Sequence, residues 1–339
     1  MISAIKLALS LMSKFSKKKL SLLIKIIVLL GTITALYFLV DFKDVGRQLL
    51  TIPFWAIAIS LIICTLRTWL TSIRWKTLNP NSNNQISNWK YFSSMMASLT
   101  YNLFMPGALG GDVARSIIIY KSIEKKRASN MMSIFVDRIV GFVSIILLGI
   151  IGCLFSLDLP GLSQYILILL ACLTALVFLT LFSLSKKLIV AVENLLSPFG
   201  NFGKKIVFLL NTWHEMLLFY KKYPSRVIKA LLLCVPIHFL WFIVMYILAN
   251  INGIEISFFT IVIVTSLVWI ITAIPITFSG MGVRELSFVY LLSLQGISSD
   301  AATTLSLHQF TITVLMAIIG IPFIWLANAK TKSNEKNLF

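Results

Sequence analysis

Seven apolar stretches, at residues 20–40, 53–72, 133–157, 162–184, 227–249, 256–277 and 304–327, dominate the chain. Each comes close to the ~20 residues that carry a helix across the hydrocarbon core of a bilayer. Because that core offers no water to the backbone, every N–H and C=O must be satisfied within the segment, and a helix does this. The stretches therefore predict an all-α, polytopic transmembrane bundle. Charged residues make up only 12% of the chain, against about 25% in ordinary soluble proteins, so no soluble domain of useful size is expected. The sequence reads as one integral membrane domain over residues 1–339, with its core at about 20–330. Two further segments are less regular. Residues 91–109 contain Asn102, Pro106 and Gly107, and the apolar stretch 283–295 is too short to cross at 1.5 Å per residue. With these included, the expectation is about eight spans, two of the segments being broken or re-entrant.

The formal charge of +18 arises from 30 Lys and Arg against 12 Asp and Glu, concentrated in strips between apolar runs. A nucleic-acid binder would carry such charge on a soluble fold; here anionic lipid is the expected partner and nucleic acid is excluded. Lys14, Lys17, Lys18 and Lys19 precede an uncleaved first span, and the connections 115–127 and 186–226 are strongly basic, whereas 158–161 and 250–255 hold no Lys or Arg. The positive-inside rule then places both termini on the cytoplasmic side of a bacterial or archaeal cytoplasmic membrane. Within the cytoplasmic connection 185–226, Ile206, Leu209, Leu210, Trp213, Met216, Leu217 and Tyr220 recur at helical spacing between lysines, which predicts an amphipathic helix at the inner leaflet. The four cysteines are far apart and no histidine has a second ligand one turn away, so neither disulfide, metal nor other cofactor is expected. The chain carries no Gly-x-x-x-x-Gly-Lys-Ser/Thr loop for ATP.

Charges inside apolar runs are costly and mark function or structure. Arg67, followed by Trp69, Arg74 and Trp75, reads as an interfacial anchor whose head group reaches water. The richest stretch is Pro106-Gly107-Ala108-Leu109-Gly110-Gly111-Asp112-Val113-Ala114-Arg115. Pro and Gly break one helix there, Asp112 accepts at the start of the next, and the helix N-terminus attracts anions; Arg115, three residues on, shares a face with Asp112. The same grammar returns about half the chain later, in Pro275-Ile276-Thr277-Phe278-Ser279-Gly280-Met281-Gly282-Val283-Arg284-Glu285. Interrupted segments in matching positions of two halves point to a transport site. Neighbours in sequence diverge by about 100° on a helix, so Arg284 and Glu285, like Asp137 and Arg138, are each expected to find partners elsewhere. Gly141 allows close helix approach beside the second pair. Two readings of the buried charges stand side by side: a cluster in which Asp137 and Glu285 orient Arg115, Arg138 or Arg284 towards a phosphate, and a purely structural ion-pair network.

The signatures Pro106-Gly107-x-x-Gly110-Gly111-Asp112-x-x-Arg115, Asp137-Arg138-x-x-Gly141 and Gly280-x-Gly282-Val283-Arg284-Glu285, in this order, resemble the transmembrane domain of lysylphosphatidylglycerol synthases and related stand-alone flippase-like proteins. The resemblance implies movement of a polar lipid between leaflets rather than enzymatic chemistry. It implies an anionic or aminoacylated phospholipid, or another polar lipid, bound at Gly110, Gly111, Asp112, Arg115, Asp137, Arg138, Gly280, Gly282, Arg284 and Glu285. The soluble transferase domain of the bifunctional members is not expected, because only residues 328–339 follow the last span. Two other functions compete. An integral-membrane glycosyltransferase using a polyprenyl-phosphate donor would draw on Asp41 and Asp44 as external carboxylates. A membrane partner for a separate lipid-modifying enzyme would dock through the 186–226 connection. Homodimerisation is compatible with each.

Overall fold

The computed structural model describes residues 52–82, 86–104, 110–120, 127–196, 200–273 and 280–335, and these contain eleven helices and no strand. They are α1 (Phe54–Leu78), α2 (Asn88–Phe104), α3 (Gly110–Tyr120), α4 (Arg127–Leu154), α5 (Leu162–Leu184), α6 (Lys186–Leu196), α7 (Gly200–Lys222), α8 (Pro224–Ile251), α9 (Phe258–Thr272), α10 (Val283–Ser293) and α11 (Ser299–Glu335). Five are long and apolar enough to cross a membrane: α1, α4, α5, α8 and α11. The first predicted span, at 20–40, with its preceding lysines, lies outside the described residues.

The centre of the bundle is α9. Nine consecutive residues from Thr260 to Val268 are buried, the mark of a helix apolar on every side and enclosed on every side. Two glycines of α4 let α9 close in: a Cβ on Gly152 would meet Ile263 Cγ1 at 3.1 Å, and one on Gly149 would meet Ser266 Cβ at the same distance. Trp241, Phe242 and Met245 of α8, Phe288 and Leu292 of α10, and Leu305 and Ile312 of α11 complete this core. By contrast, only 11% of the apolar window of α5 is buried, so this helix stands at the periphery with Leu167, Phe178 and Leu181 outward. Its apolar outer face is what a bilayer, rather than water, would cover.

One predicted span needs correction. The apolar run 256–277 does not form a bilayer-length helix, because α9 ends at Thr272 after 15 residues, about 22 Å at 1.5 Å per residue.

Each irregular segment holds a helix, α2 in the first and α10 in the second, and each of these packs against a neighbouring helix. Gly111 of α3 lies against Ser98 and Asn102 of α2, while Arg115 touches Met95. Positions ascend in one helix as they descend in the other, so α3 folds back along α2 as an antiparallel hairpin. Late in the chain, α9 and α10 form a contacting pair, with Gly280 against the side chain of Thr272. Residues 105–109 and 274–279, including Pro106, Gly107 and Pro275, lie outside the described residues.

The basic connection folds into α6 and α7. Met216 and Tyr220 of α7 pack on Leu78, Val136, Val140, Ala230 and Cys234, and the Tyr220 hydroxyl donates to the Leu78 carbonyl at the end of α1. The predicted amphipathic helix therefore docks one face on the ends of α1, α4 and α8, and leaves Phe208, Leu209 and Leu218 exposed.

The most intimate pair, α2 and α11, depends on Gly320, where a Cβ would overlap the Met96 carbonyl oxygen and come within 2.5 Å of Thr100 Oγ1. Gly320→Ala is expected to lower stability by about 1–3 kcal/mol, the usual cost of overpacking, read as a reduced thermal midpoint of the detergent-solubilised protein.

Candidate functional site

Helix α3 begins at the paired glycines, and Gly111 serves packing. The Gly111 N–H donates to Asn102 Oδ1 at 2.8 Å, and a Cβ at Gly111 would fall on the Ser98 carbonyl and within 2.6 Å of the Asn102 side chain. Only glycine lets α3 approach α2 so closely. Gly110, the first residue of the helix, is not part of the cavity wall described below.

From α3, charge alternates through three helices. Asp112 Oδ1 accepts from Arg115 Nη2 at 2.9 Å and Nε at 3.0 Å, while its Oδ2 pairs with Arg138. Arg115 Nη1 lies 3.4 Å from Asp137 Oδ2, and Asp137 Oδ1 accepts from Arg74 Nε at 2.8 Å. Arg115 also covers the face of Trp75 at 4.7 Å. The result is a chain Arg74–Asp137–Arg115–Asp112–Arg138 linking α1, α3 and α4. Arg74, Asp137 and Arg115 are buried; Arg138, at 31% side-chain exposure, is the outermost. As expected, Asp137 and Arg138 diverge and find separate partners. Gly141, one turn beyond Asp137, makes room for a side chain rather than for a neighbouring helix: a Cβ there would meet Arg74 Nη1 at 3.3 Å.

The second glycine-rich stretch has a different internal logic. Gly280 and Gly282 adopt φ of 75° and 80°, the left-handed region that glycine enters without Cβ strain. Glu285 Oε2 accepts from the Gly282 N–H at 2.6 Å, capping α10, and its Oε1 accepts from Arg284 Nη2 at 2.5 Å and Nε at 3.1 Å. Ser306 of α11 bridges the same two side chains, and Arg284 lies over the ring of Phe310 at 5.0 Å. The expectation that Arg284 and Glu285 cannot neutralise one another is therefore wrong. Their Cβ atoms do diverge, but both side chains are long enough to turn towards each other, and Ser306 fixes the meeting point. One N–H at each helix start is also engaged: Gly111 by Asn102, Gly282 by Glu285.

Between the two glycine stretches lies a cavity of about 430 Å³. Arg115 and Arg284 both line it, one from each stretch, together with Arg67, Arg74, Arg138, Asp112 and Asp137. Asn102, His238, Trp241, Trp269 and Gln309 add polar and aromatic wall. Gly111, Gly280, Gly282 and Glu285 stand behind this surface and shape or brace it.

Arg67 is not the interfacial anchor that its aromatic neighbours suggest. Its guanidinium points into the cavity, 4.9 Å from the Trp241 ring and 5.3 Å from the Trp269 ring. Arg74, one heptad later on the same face of α1, was absent from the predicted site and is central to it. The sequence held the signal, two arginines seven apart in an apolar helix, but the intervening tryptophans also fit an anchor at the membrane surface.

Residues 22–320 match the family described as Lysylphosphatidylglycerol synthase TM region. The chain belongs to that family. Membership, with the apolar helices, makes this a multi-pass membrane protein whose function is lipid-related. No curated protein matches the chain. The motifs that carry the resemblance are, in this Lysylphosphatidylglycerol synthase TM region protein, the same ones that build the charged wall of the cavity.

Asp137 holds two buried guanidinium groups. Asp137→Asn leaves both without their common counter-charge, and removing one partner of a buried ion pair costs about 3–5 kcal/mol. A lower thermal midpoint in detergent is expected, with Glu255→Gln, at an exposed position, leaving it unchanged.

Proposed function

We propose that this protein translocates a polar, phosphate-bearing lipid between the leaflets of the cytoplasmic membrane, with both termini on the cytoplasmic side. The observation that carries this reading is the shared cavity: Arg115 from the first glycine stretch and Arg284 from the second face the same space. Transport sites form where interrupted helices of two halves meet, and a cavity inside an apolar bundle gives a head group a polar path while the acyl chains stay in the bilayer. The guanidinium groups match phosphate oxygens in geometry and charge. Asp112, Asp137 and Glu285 hold Arg115, Arg138 and Arg284 in fixed orientations, so that little side-chain entropy is lost on binding. Gly110, Gly111, Gly280 and Gly282 allow the hairpin and helix-start geometry that brings those arginines inward. No bond is made or broken in this process.

Reconstitution into vesicles holding a fluorescent phosphatidylglycerol tests the reading, with head-group sidedness followed by reduction of the outer-leaflet dye. Arg115→Ala and Arg284→Ala should each slow translocation by about tenfold or more, equivalent to ~1.4 kcal/mol, with Arg284→Lys retaining part of the rate. Unchanged sidedness kinetics in both alanine variants would remove these arginines from the pathway.

A further inference from the structure

Counting charges separates the arginines of the cavity into two kinds. Arg74, Arg115, Arg138 and Arg284 each pair with a carboxylate, whereas Arg67 pairs with none among the described residues. It is held by the faces of Trp241 and Trp269, and its Nε has no hydrogen-bond partner. Two more polar atoms of the same cavity wall are unsatisfied: Trp241 Nε1, a donor, and Gln309 Oε1, an acceptor. Both residues are more than nine-tenths buried. His238, also buried in this wall and within electrostatic reach of Arg67, makes no hydrogen bond of normal geometry through either ring nitrogen. Native proteins seldom leave such groups unpaired, and here they gather around a cation with no carboxylate partner among the described residues, which is the chemistry of an anion-binding site.

Resting on the translocation reading above, we infer that Arg67 is the anion-binding residue of the cavity and that it selects an anionic, phosphate-centred group. Among the described residues, five guanidinium groups share three carboxylates, Asp112, Asp137 and Glu285, so the cavity carries excess positive charge, and Arg67 is the arginine that none of the three reaches. Arg67 and the Trp241 N–H supply donors to phosphate oxygens, and Gln309 supplies an acceptor to a hydroxyl of the head group. A net-cationic, aminoacylated head group meets an unpaired guanidinium here and is disfavoured. The substrate class is thus an anionic phosphodiester lipid with a hydroxylated head group, bound at Arg67 and passed along the motif arginines, whose charge is mostly met by carboxylates.

The test is binding to the intact protein in detergent, read as ligand-induced rise in thermal midpoint, with phosphatidylglycerol, lysyl-phosphatidylglycerol, glycerol 3-phosphate and inorganic phosphate as probes. Arg67→Gln should fold with an unchanged or higher midpoint, since a cation with no carboxylate partner among the described residues is removed, and should lose stabilisation by phosphatidylglycerol by about tenfold in apparent affinity; Arg67→Lys should keep part of it. Stabilisation by phosphatidylglycerol alone identifies the lipid as the source of the anion, and equal stabilisation by glycerol 3-phosphate or inorganic phosphate identifies a soluble anion at the same residue. The inference is overturned if Arg67→Gln binds phosphatidylglycerol as the wild type does, or if the lysylated lipid binds more tightly than the anionic one. Because this readout does not need transport, a protein that binds through Arg67 but moves no lipid in vesicles would refute the translocation reading and leave the site standing.

Discussion

A guanidinium group cannot be carried into a low-dielectric interior without compensation, and the arrangement of this bundle follows from meeting that demand several times in one place. Asp137 is the pivot. It accepts from Arg74 of α1 through one carboxylate oxygen and faces Arg115 of α3 through the other, so a single residue of α4 fixes three helices relative to one another. Asp112 repeats the device, joining Arg115 to Arg138. Such pairs are weak evidence for net stability, since desolvation offsets the Coulombic gain. They are strong determinants of geometry, because any displacement that separates them leaves a buried charge exposed to hydrocarbon.

The glycines serve this arrangement in a way that composition alone does not reveal. In a soluble nucleotide-binding fold a Gly-Gly-Asp turn would suggest a backbone cradle for an anion. Here the Gly111 N–H is bound by Asn102, and the missing Cβ lets two helices touch. One N–H at the start of α3 is bound internally, and at α10 the N–H of Gly282 is bound by Glu285. Positive charge is therefore delivered to the cavity by side chains that project from these helices, with the hairpin geometry determining how deeply they reach.

Periodicity and spacing made five of the spans, those at 53–72, 133–157, 162–184, 227–249 and 304–327, and the i, i+3 pair Asp112–Arg115 legible, because each depends on residues near in sequence. The divergence of Asp137 and Arg138 was legible for the same reason. What the sequence could not convey is which distant helix a side chain meets. Arg74 and Asp137 are 63 positions apart, and nothing local to Arg74 distinguishes a buried ion pair from an arginine reaching the membrane surface. Arg67 illustrates the ambiguity more sharply: its tryptophans come from α8 and α9, not from the adjacent Trp69 that suggested an interfacial anchor. The reverse error concerns Arg284 and Glu285. Helical geometry governs Cβ direction, but with three or four rotatable bonds beyond it, adjacent side chains can converge once a third group, here Ser306, fixes them.

The division of the cavity arginines into compensated and uncompensated also bears on how a transport site avoids becoming a trap. Five free guanidinium groups around 430 Å³ would bind a phosphate too firmly for release, since a pathway must attract its cargo without holding it. Sharing three carboxylates among four of them cuts their net charge from four to one, so an anionic head group meets many donors but only modest charge–charge attraction along this wall. The aromatic clamp on Arg67 meets the burial cost of the fifth by a different means. A cation–π contact stabilises the guanidinium through its faces without supplying the counter-charge that a carboxylate would. An ion pair at this position would have stabilised the empty cavity and abolished its preference for an anion. Two tryptophans stabilise the cation and preserve that preference.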